Sequence, residues 1–233
     1  MHGIGQSAGK DFSYLLGVYL GDGCVTSPST RSLPDKRCFK LNTIDQDFAD
    51  TTKAALSNLT GRLVSISYRQ VVGGRPQYQL YCGDSDLSAA LERDTLKKTV
   101  IPEYVWMWPR ENIMAFVIGL MDSEGFVGAN GNPTNRRFYM GYKSCDPWVP
   151  DFIRLLQNIG IRIGKVQQEE PYKPGYKPAT RFTVKMQSWI DSGCRFNIAR
   201  KQKRVDEWAE AGPYERRARF PRRSTSEAIR STV

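Results

Sequence analysis

Two segments about a hundred residues apart carry one pattern: Leu15-Leu16-Gly17-Val18-Tyr19-Leu20-Gly21-Asp22-Gly23 and Val117-Ile118-Gly119-Leu120-Met121-Asp122-Ser123-Glu124-Gly125. Each reads as an apolar helix that ends in a carboxylate and a glycine. Small residues recur four apart in both, Gly17 with Gly21 and Gly119 with Ser123, so each helix carries a stripe along which a second backbone can approach. Glycine inside a helix costs about 1 kcal/mol relative to alanine, so the stripe implies a packing partner. Packed on each other, the helices would bring Asp22 and Glu124 to the same end of a pseudo-twofold seam. The helix macrodipole already places partial negative charge there, and two carboxylates added to it repel unless a cation is shared. A divalent metal held through oxygen ligands meets that need. The competing reading, a plain turn after a buried helix, explains one motif but not two copies in matching contexts.

The flanking segments repeat as well. After the first motif, Cys24 to Ser27 reads as a short strand and Ser27 to Lys36 as a loop. Arg37 to Thr43 alternates, with Phe39 and Leu41 on one side and Lys40 and Asn42 on the other, as a half-buried strand does. A helix is expected over Asp45–Leu59 with its stop at Gly61, then a hairpin of Leu63–Gln70 and Gln77–Cys82 joined through Gly73-Gly74, then a helix over Ser85–Arg93. Asn112 is the expected cap of the second motif helix. The order then returns: a strand over Phe126–Ala129, a loop over Asn130–Asn135, and a strand over Arg137–Lys143 with Phe138, Met140 and Tyr142 inward. A helix over Pro147–Ile159 stopping at Gly160 follows, with strands near Lys165–Gln168 and Arg181–Val184. Asp45 and Asp146 occupy matching places after their motifs, where they would cap helices or orient solvent. Lys98 and Lys201 match in the same way. The expectation is an α+β chain of two halves, residues 1–105 and 106–233, the second ending in an arginine-dense tail from Gly212 to Arg223.

Among 233 residues, 34 Lys and Arg outweigh 24 Asp and Glu, for a net charge of +10. That excess suits a polyanionic partner such as nucleic acid. Five cysteines, Cys24, Cys38, Cys82, Cys145 and Cys194, include no CxxC pair, which offers no zinc site and suggests reduced, mostly buried thiols in an intracellular compartment, cytoplasm or organelle alike. The single histidine, His2, stands near the N-terminus, so histidine-based hydrolysis is disfavoured. No segment has the apolar run of a signal peptide or the ~20 apolar residues of a membrane span, and no membrane partner is expected.

The two motifs resemble the signature of the LAGLIDADG homing endonucleases, in the single-chain form with two copies. The likeness rests on Gly17, Asp22 and Gly23, and on Gly119, Leu120, Asp122, Glu124 and Gly125, with the repeat order extending over roughly residues 11 to 210. Leu20 replaces the first motif acid of the first copy, while the final acid is kept as Asp22; Glu124 preserves the charge in the second. The resemblance implies two pseudo-symmetric αββαββα halves whose antiparallel sheets form a DNA-binding saddle. It implies that Asp22 and Glu124, with the carbonyls of Gly21 and Ser123, bind Mg²⁺, with Mn²⁺ as a substitute and Ca²⁺ supporting binding only. It places Lys98 and Lys201 as active-site lysines, with Lys97 and Lys203 as neighbours in register. It further implies intron homing and cleavage of both strands with short 3′ overhangs. The chemistry agrees with the residues: metals and lysines can activate water and stabilise developing phosphate charge without histidine.

Each sheet would follow about one turn of major groove, so the site is expected to span roughly 20 bp. Readout would come from the polar strand faces: Lys40, Asn42, Ser67, Arg69, Gln77 and Gln79 in the first half, and Arg137, Tyr139, Lys143, Lys165, Gln167, Arg181 and Lys185 in the second. Arginine and lysine suit guanine, asparagine and glutamine suit adenine. The two sets differ, which implies a non-palindromic duplex bound by a monomer. The sequence therefore points to a metal-dependent, site-specific DNA endonuclease. Two alternatives on the same scaffold stay open: an RNA-binding intron maturase, with intron RNA as partner, and a catalytically silent DNA-binding regulator.

Overall fold

The computed structural model describes residues 9–26, 37–70, 74–130, 137–171, 173–175 and 177–211 of the chain. The loops expected at 27–36 and 131–135, the Gly73 turn position, His2 and the arginine-dense tail lie outside the described residues.

The first half runs α1 (Lys10–Leu20), β1 (Cys24–Thr26), β2 (Cys38–Thr43), α2 (Gln46–Thr60), β3 (Ser65–Arg69), β4 (Gln77–Cys82) and α3 (Ser85–Asp94). A 3-10 turn, Glu103–Met107, leads to the second half: α4 (Arg110–Ser123), β5 (Gly125–Asn130), β6 (Arg137–Ser144), α5 (Val149–Asn158), β7 (Ile163–Glu169), β8 (Ala179–Val184), α6 (Met186–Asp191) and α7 (Ala199–Glu210). Two four-stranded sheets result, ordered β1-β2-β4-β3 and β5-β6-β8-β7, with every neighbouring pair antiparallel.

Local chemistry explains most boundaries. Phe39 and Leu41 are fully buried while Asn42 is exposed, so the alternation of β2 puts one face on the core. Gly61 ends α2 in the left-handed region at φ 64°, its N–H donating to Ser57 O. The Asp84 carboxylate accepts from Leu87 N and caps α3. Asn112 does not cap α4. Pro109 does, with its ring holding φ at −52° and no N–H to satisfy, and Asn112 is buried inside the first turn. Among the described residues the second half carries four helices rather than about three, because the chain adds α7 after α6. Nor are the thiols uniformly buried in strands: Cys145 is exposed after β6, and Cys194 is buried in the turn after α6.

The helices α1 and α4 form the seam. Residues on both sides of it, including Phe12, Leu16, Phe116 and Leu120, are fully buried in one apolar core that continues into both sheets. A Cβ added at Gly17 would overlap the Phe116 carbonyl oxygen, and one at Gly119 would overlap the Tyr14 carbonyl oxygen. The two contacts are reciprocal, as a pseudo-twofold axis requires. At each, the obstacle is backbone, which cannot rotate away as a side-chain tip could.

Alanine at Gly17 or Gly119 should therefore destabilise the protein despite its better helix propensity. The overlap costs about 1–3 kcal/mol, against a propensity gain of about 1 kcal/mol. A net loss in thermal unfolding for each variant is expected, and an unchanged or raised Tm would contradict the close-packed seam.

Candidate active site and nucleic-acid interface

The seam delivers both motif acids to one place. A Cβ at Gly21 would press on the Ser123 side chain and stand 3.5 Å from Glu124 Cγ, so the two helix ends touch where Asp22 and Glu124 emerge. Lys98 Nζ donates to the carbonyls of Gly21 (2.5 Å) and Gly23 (3.0 Å). Lys201 Nζ donates to those of Met121 (2.9 Å) and Asp122 (2.5 Å). Each lysine thus satisfies carbonyls that a helix C-terminus leaves without partners and offsets its partial negative charge. Lys97 and Lys203, the register alternatives, are exposed.

The two lysines are mounted differently. Lys98 follows α3 in a run of three left-handed residues, Leu96, Lys97 and Lys98, at φ 47°, 57° and 69°. Such residues cost roughly 1–2 kcal/mol each, so the run persists only because neighbours hold it. Thr95 Oγ1 accepts from Lys98 N, and Trp148 Nε1 donates to Lys98 O. Lys201 lies in the first turn of α7 and is buried, with 3% exposure, whereas Lys98 is half-buried. Beside it the motif acid Asp122, at 1% exposure, accepts from Tyr14 Oη (3.1 Å), Asn197 N (3.1 Å) and Asn197 Nδ2 (2.9 Å). Leu20 takes the equivalent place in the first half, so only one half contains this brace.

Asp45 and Asp146 do not act as side-chain caps. Asp45 precedes α2 without a capping bond and receives both arms of Arg200, at 2.6 and 2.7 Å. Asp146 accepts from Ser144 Oγ at 2.5 Å, and α5 begins beyond it with Trp148 at its N-cap. A Ser hydroxyl in one half and a guanidinium in the other have taken over the carboxylates.

Burial and crowding raise the acids. Glu124 is pushed up to about 7, first by burial and then by the charges of Asp22 and Asp146, against the pull of Lys98 and Lys201. Asp22 is raised by burial despite both lysines, although its side chain reaches the surface and solvent screens part of that effect. Asp122 is pushed up to about 6 by burial, against its Asn197, Lys201 and Tyr14 partners. Lys201 is lowered to about 8, and Lys98 is lowered too, both mainly by burial.

No family model matches the sequence, and no curated protein matches it. Solved structures do. Mesophilic variants of the homing endonuclease I-DmoI are similar at 17% identity and a TM-score of 0.53, covering 78% of this chain and 92% of that one. The homing endonuclease I-WcaI, bound to its DNA recognition sequence, reaches a TM-score of 0.55 at 9% identity, with 84% and 85% covered. The LAGLIDADG homing endonuclease I-GzeII, in complex with its DNA target, gives 0.50 at 10% identity, with 87% and 89% covered. The chain has the LAGLIDADG homing-endonuclease fold. I-DmoI itself is known in complex with DNA and Mn and with DNA and Ca.

Within this fold, Asp22 and Glu124 make a donor set that suits a hard divalent cation: two carboxylates brought together at the helix ends, both raised chiefly by burial, with the charge of Asp22 adding to the rise of Glu124. Among the described residues, no group of three Asp, Glu, His or Cys side chains closes a metal cage. An ion held here would complete its shell from backbone, water or phosphate oxygen. The Gly21 carbonyl, expected as a ligand, is engaged by Lys98, while Ser123 ends α4 with its hydroxyl donating to Gly119 O.

The strand registers put most of the expected base readers onto one face of each sheet, while Lys165 falls in the irregular stretch of β7 between Ile163 and Val166, its N–H donating to Thr183 Oγ1. Asn42 pairs with Gln79, which pairs with Ser67, and Arg69 pairs with Gln77, so these five share a face with Lys40, opposite Leu41, Leu80 and Ile66. Tyr81, paired with Lys40 and carrying its ammonium 5.3 Å from the ring, belongs to that face and was not expected there. In the second sheet Lys143, Arg181 and Gln167 align in one row. Tyr139 shares their side of β6, while Lys185 lies beyond β8 at the start of α6. The side chain of Arg137 lies outside the described residues. The row also holds a residue the sequence reading missed. Glu169 pairs with Lys143 at 2.6 Å and Arg181 at 3.4 Å, and its carboxyl is lowered chiefly by the Lys143 bond. A carboxylate within a basic face pre-orients two cations and is itself able to accept from cytosine N4.

Two outcomes follow for the metal-free protein. A glutamate whose ordinary value is 4.5 and whose folded value is about 7 binds its proton more tightly when folded, so stability from this group is full below pH 4.5 and declines as pH rises towards 7. Unfolding measured across that window should show the decline in the parent and a flatter profile in Glu124→Gln. Separately, Lys97→Gly should raise stability by roughly 0.5–1 kcal/mol, since relief of a left-handed side chain outweighs the added chain entropy. A lower denaturation midpoint would contradict the strained run.

Proposed function

We propose that this protein is a site-specific DNA endonuclease dependent on a divalent metal, with Mg²⁺ as the natural ion. The observation that carries the reading is the meeting of Asp22 and Glu124 at the closed end of the α1–α4 seam, each helix end neutralised by a lysine, between two sheets with polar outer faces. Asp22 and Glu124 would hold the metal, which when bound activates water and offsets the charge that develops on the scissile phosphate.

The residues of the chain do the rest. Lys98 and Lys201 present ammonium groups beside the acid pair, where an anionic transition state gains most from fixed positive charge. Both donate to the carbonyls at the motif ends, so their charge is held in place beside the acids before substrate arrives. Phosphate contacts fix register on the duplex, and the two sheet faces read bases. Because Lys40, Asn42, Ser67, Arg69, Gln77 and Gln79 are answered by Tyr139, Lys143, Lys165, Gln167, Arg181 and Glu169, the target is asymmetric. With one turn of groove per sheet it spans roughly 20 bp. We assign the halves to residues 1–105 and 106–233, a monomer acting on both strands to leave short 3′ overhangs, in the manner of intron homing.

Incubating the protein with a library of random duplexes in Mg²⁺ or Ca²⁺, then sequencing bound and cut molecules, tests this directly. Cleavage at one long asymmetric motif in Mg²⁺ is expected, with binding but no cutting in Ca²⁺ and in the Asp22→Asn and Glu124→Gln variants. Selective binding without cutting in any metal would replace the nuclease with a DNA-binding regulator.

A further inference from the structure

We propose that the two motif-end lysines are seated in trans, each held in place by the other half of the molecule. The places that do this are equivalent: the start of α2 in the first half, and the start of α5 in the second.

The segment that carries Lys201 belongs to the second half, yet first-half carboxylates hold it. Asp47 Oδ2 accepts from Ala199 N at 2.5 Å, and Asp45 takes Arg200 through both Nε and Nη2, at 2.6 and 2.7 Å. Ala199 and Arg200 are the two residues before Lys201, at the N-terminus of α7, where a carboxylate both fills a free N–H and meets the positive end of the helix. Tyr14, also of the first half, reaches across the seam to Asp122, which in turn holds Asn197. In the opposite direction, the segment that carries Lys98 belongs to the first half and is held by the second. Trp148, buried at 1% exposure, donates its indole N–H to the Lys98 carbonyl at 3.1 Å. Asp45 and Asp47 stand to Asp146 and Trp148 at a constant offset along the chain, so the exchange follows the pseudo-twofold axis while using different chemistry on each side.

These are positioning residues. None donates to the motif carbonyls itself. Each fixes the backbone from which a lysine reaches them, and at Lys98 the Trp148 bond adds support from the other half to a left-handed run that Thr95 also holds. The arrangement makes each half-site depend on the interface, so neither lysine is correctly placed until the halves have docked.

The test uses the whole chain and needs no DNA. Brief acetylation with acetic anhydride, read by mass spectrometry, reports the reactivity of each lysine. Asp45→Asn, and Arg200→Gln at the exposed partner of the same pair, should raise labelling of Lys201 about tenfold, the factor set by one lost charge-assisted hydrogen bond, and leave Lys98 unchanged, with thermal unfolding checking that both variants are folded. Trp148→Phe should raise Lys98 and leave Lys201 protected. Lys201 equally protected in both of these variants, or both lysines rising together in every variant, overturns the proposal. The cleavage readout rests on the endonuclease reading: on the selected duplex, Asp45→Asn should slow one strand and Trp148→Phe the other. Should no duplex be cut by the parent, that reading fails while the labelling pattern still decides the seating.

Discussion

Everything in this molecule depends on how closely α1 and α4 can approach. Hydrogen at the Cα of Gly17 and Gly119 lets each helix rest against the carbonyls of the other, at Phe116 and Tyr14, and the depth of that contact sets where the helix ends meet. The same packing that fuses two half-cores into one forces Asp22 and Glu124 together at two negative dipole ends. Apolar burial supplies the stabilisation, since Phe12, Leu16, Phe116 and Leu120 lose all contact with water. The electrostatic penalty is met locally by Lys98 and Lys201 and, in the functional reading, by the divalent ion that Asp22 and Glu124 would hold. Close packing and charge repulsion are opposed at this point.

The backbone is nearly symmetric and the side chains are not. Asp122 is buried and triply hydrogen-bonded in one half, while Leu20 fills the matching place in the other. One lysine stands in a helix, buried among carbonyls, and its counterpart in a strained left-handed run. Beyond the seam the packing gives no reason for the halves to stay alike, and an apolar residue at position 20 removes a buried carboxylate that would need three partners of its own. The outer sheet faces diverge in the same way. A cation over Tyr81 in one sheet and a Lys-Glu-Arg group around Glu169 in the other give the two faces different patterns of charge.

The likeness to I-DmoI and I-WcaI at 17% and 9% identity shows how few positions carry this fold. The periodic elements were legible in the chain because burial repeats along them: Phe39 and Leu41 in β2, and the left-handed stop at Gly61 after α2. The start of α4 was not legible. Asn112 has capping chemistry, but Pro109 has the fixed φ and comes first, and no local rule ranks the two without the packing around them. The site acids were legible through repetition. Their supports were not, because Arg200 and Asp45 are 155 residues apart and each, alone, reads as a solvated charge.

The sequence by itself determined the two-fold plan, the contact stripe and the acid at the end of each motif helix, since these are written in short-range spacing that any chain of this pattern must express as helix. Tertiary structure alone decided which carbonyls the lysines occupy, which acids are claimed by Arg200 and Asn197, and how far burial shifts Glu124. Those outcomes depend on distances between groups remote in sequence and on the solvent they exclude, and both exist only once the two halves have closed on each other.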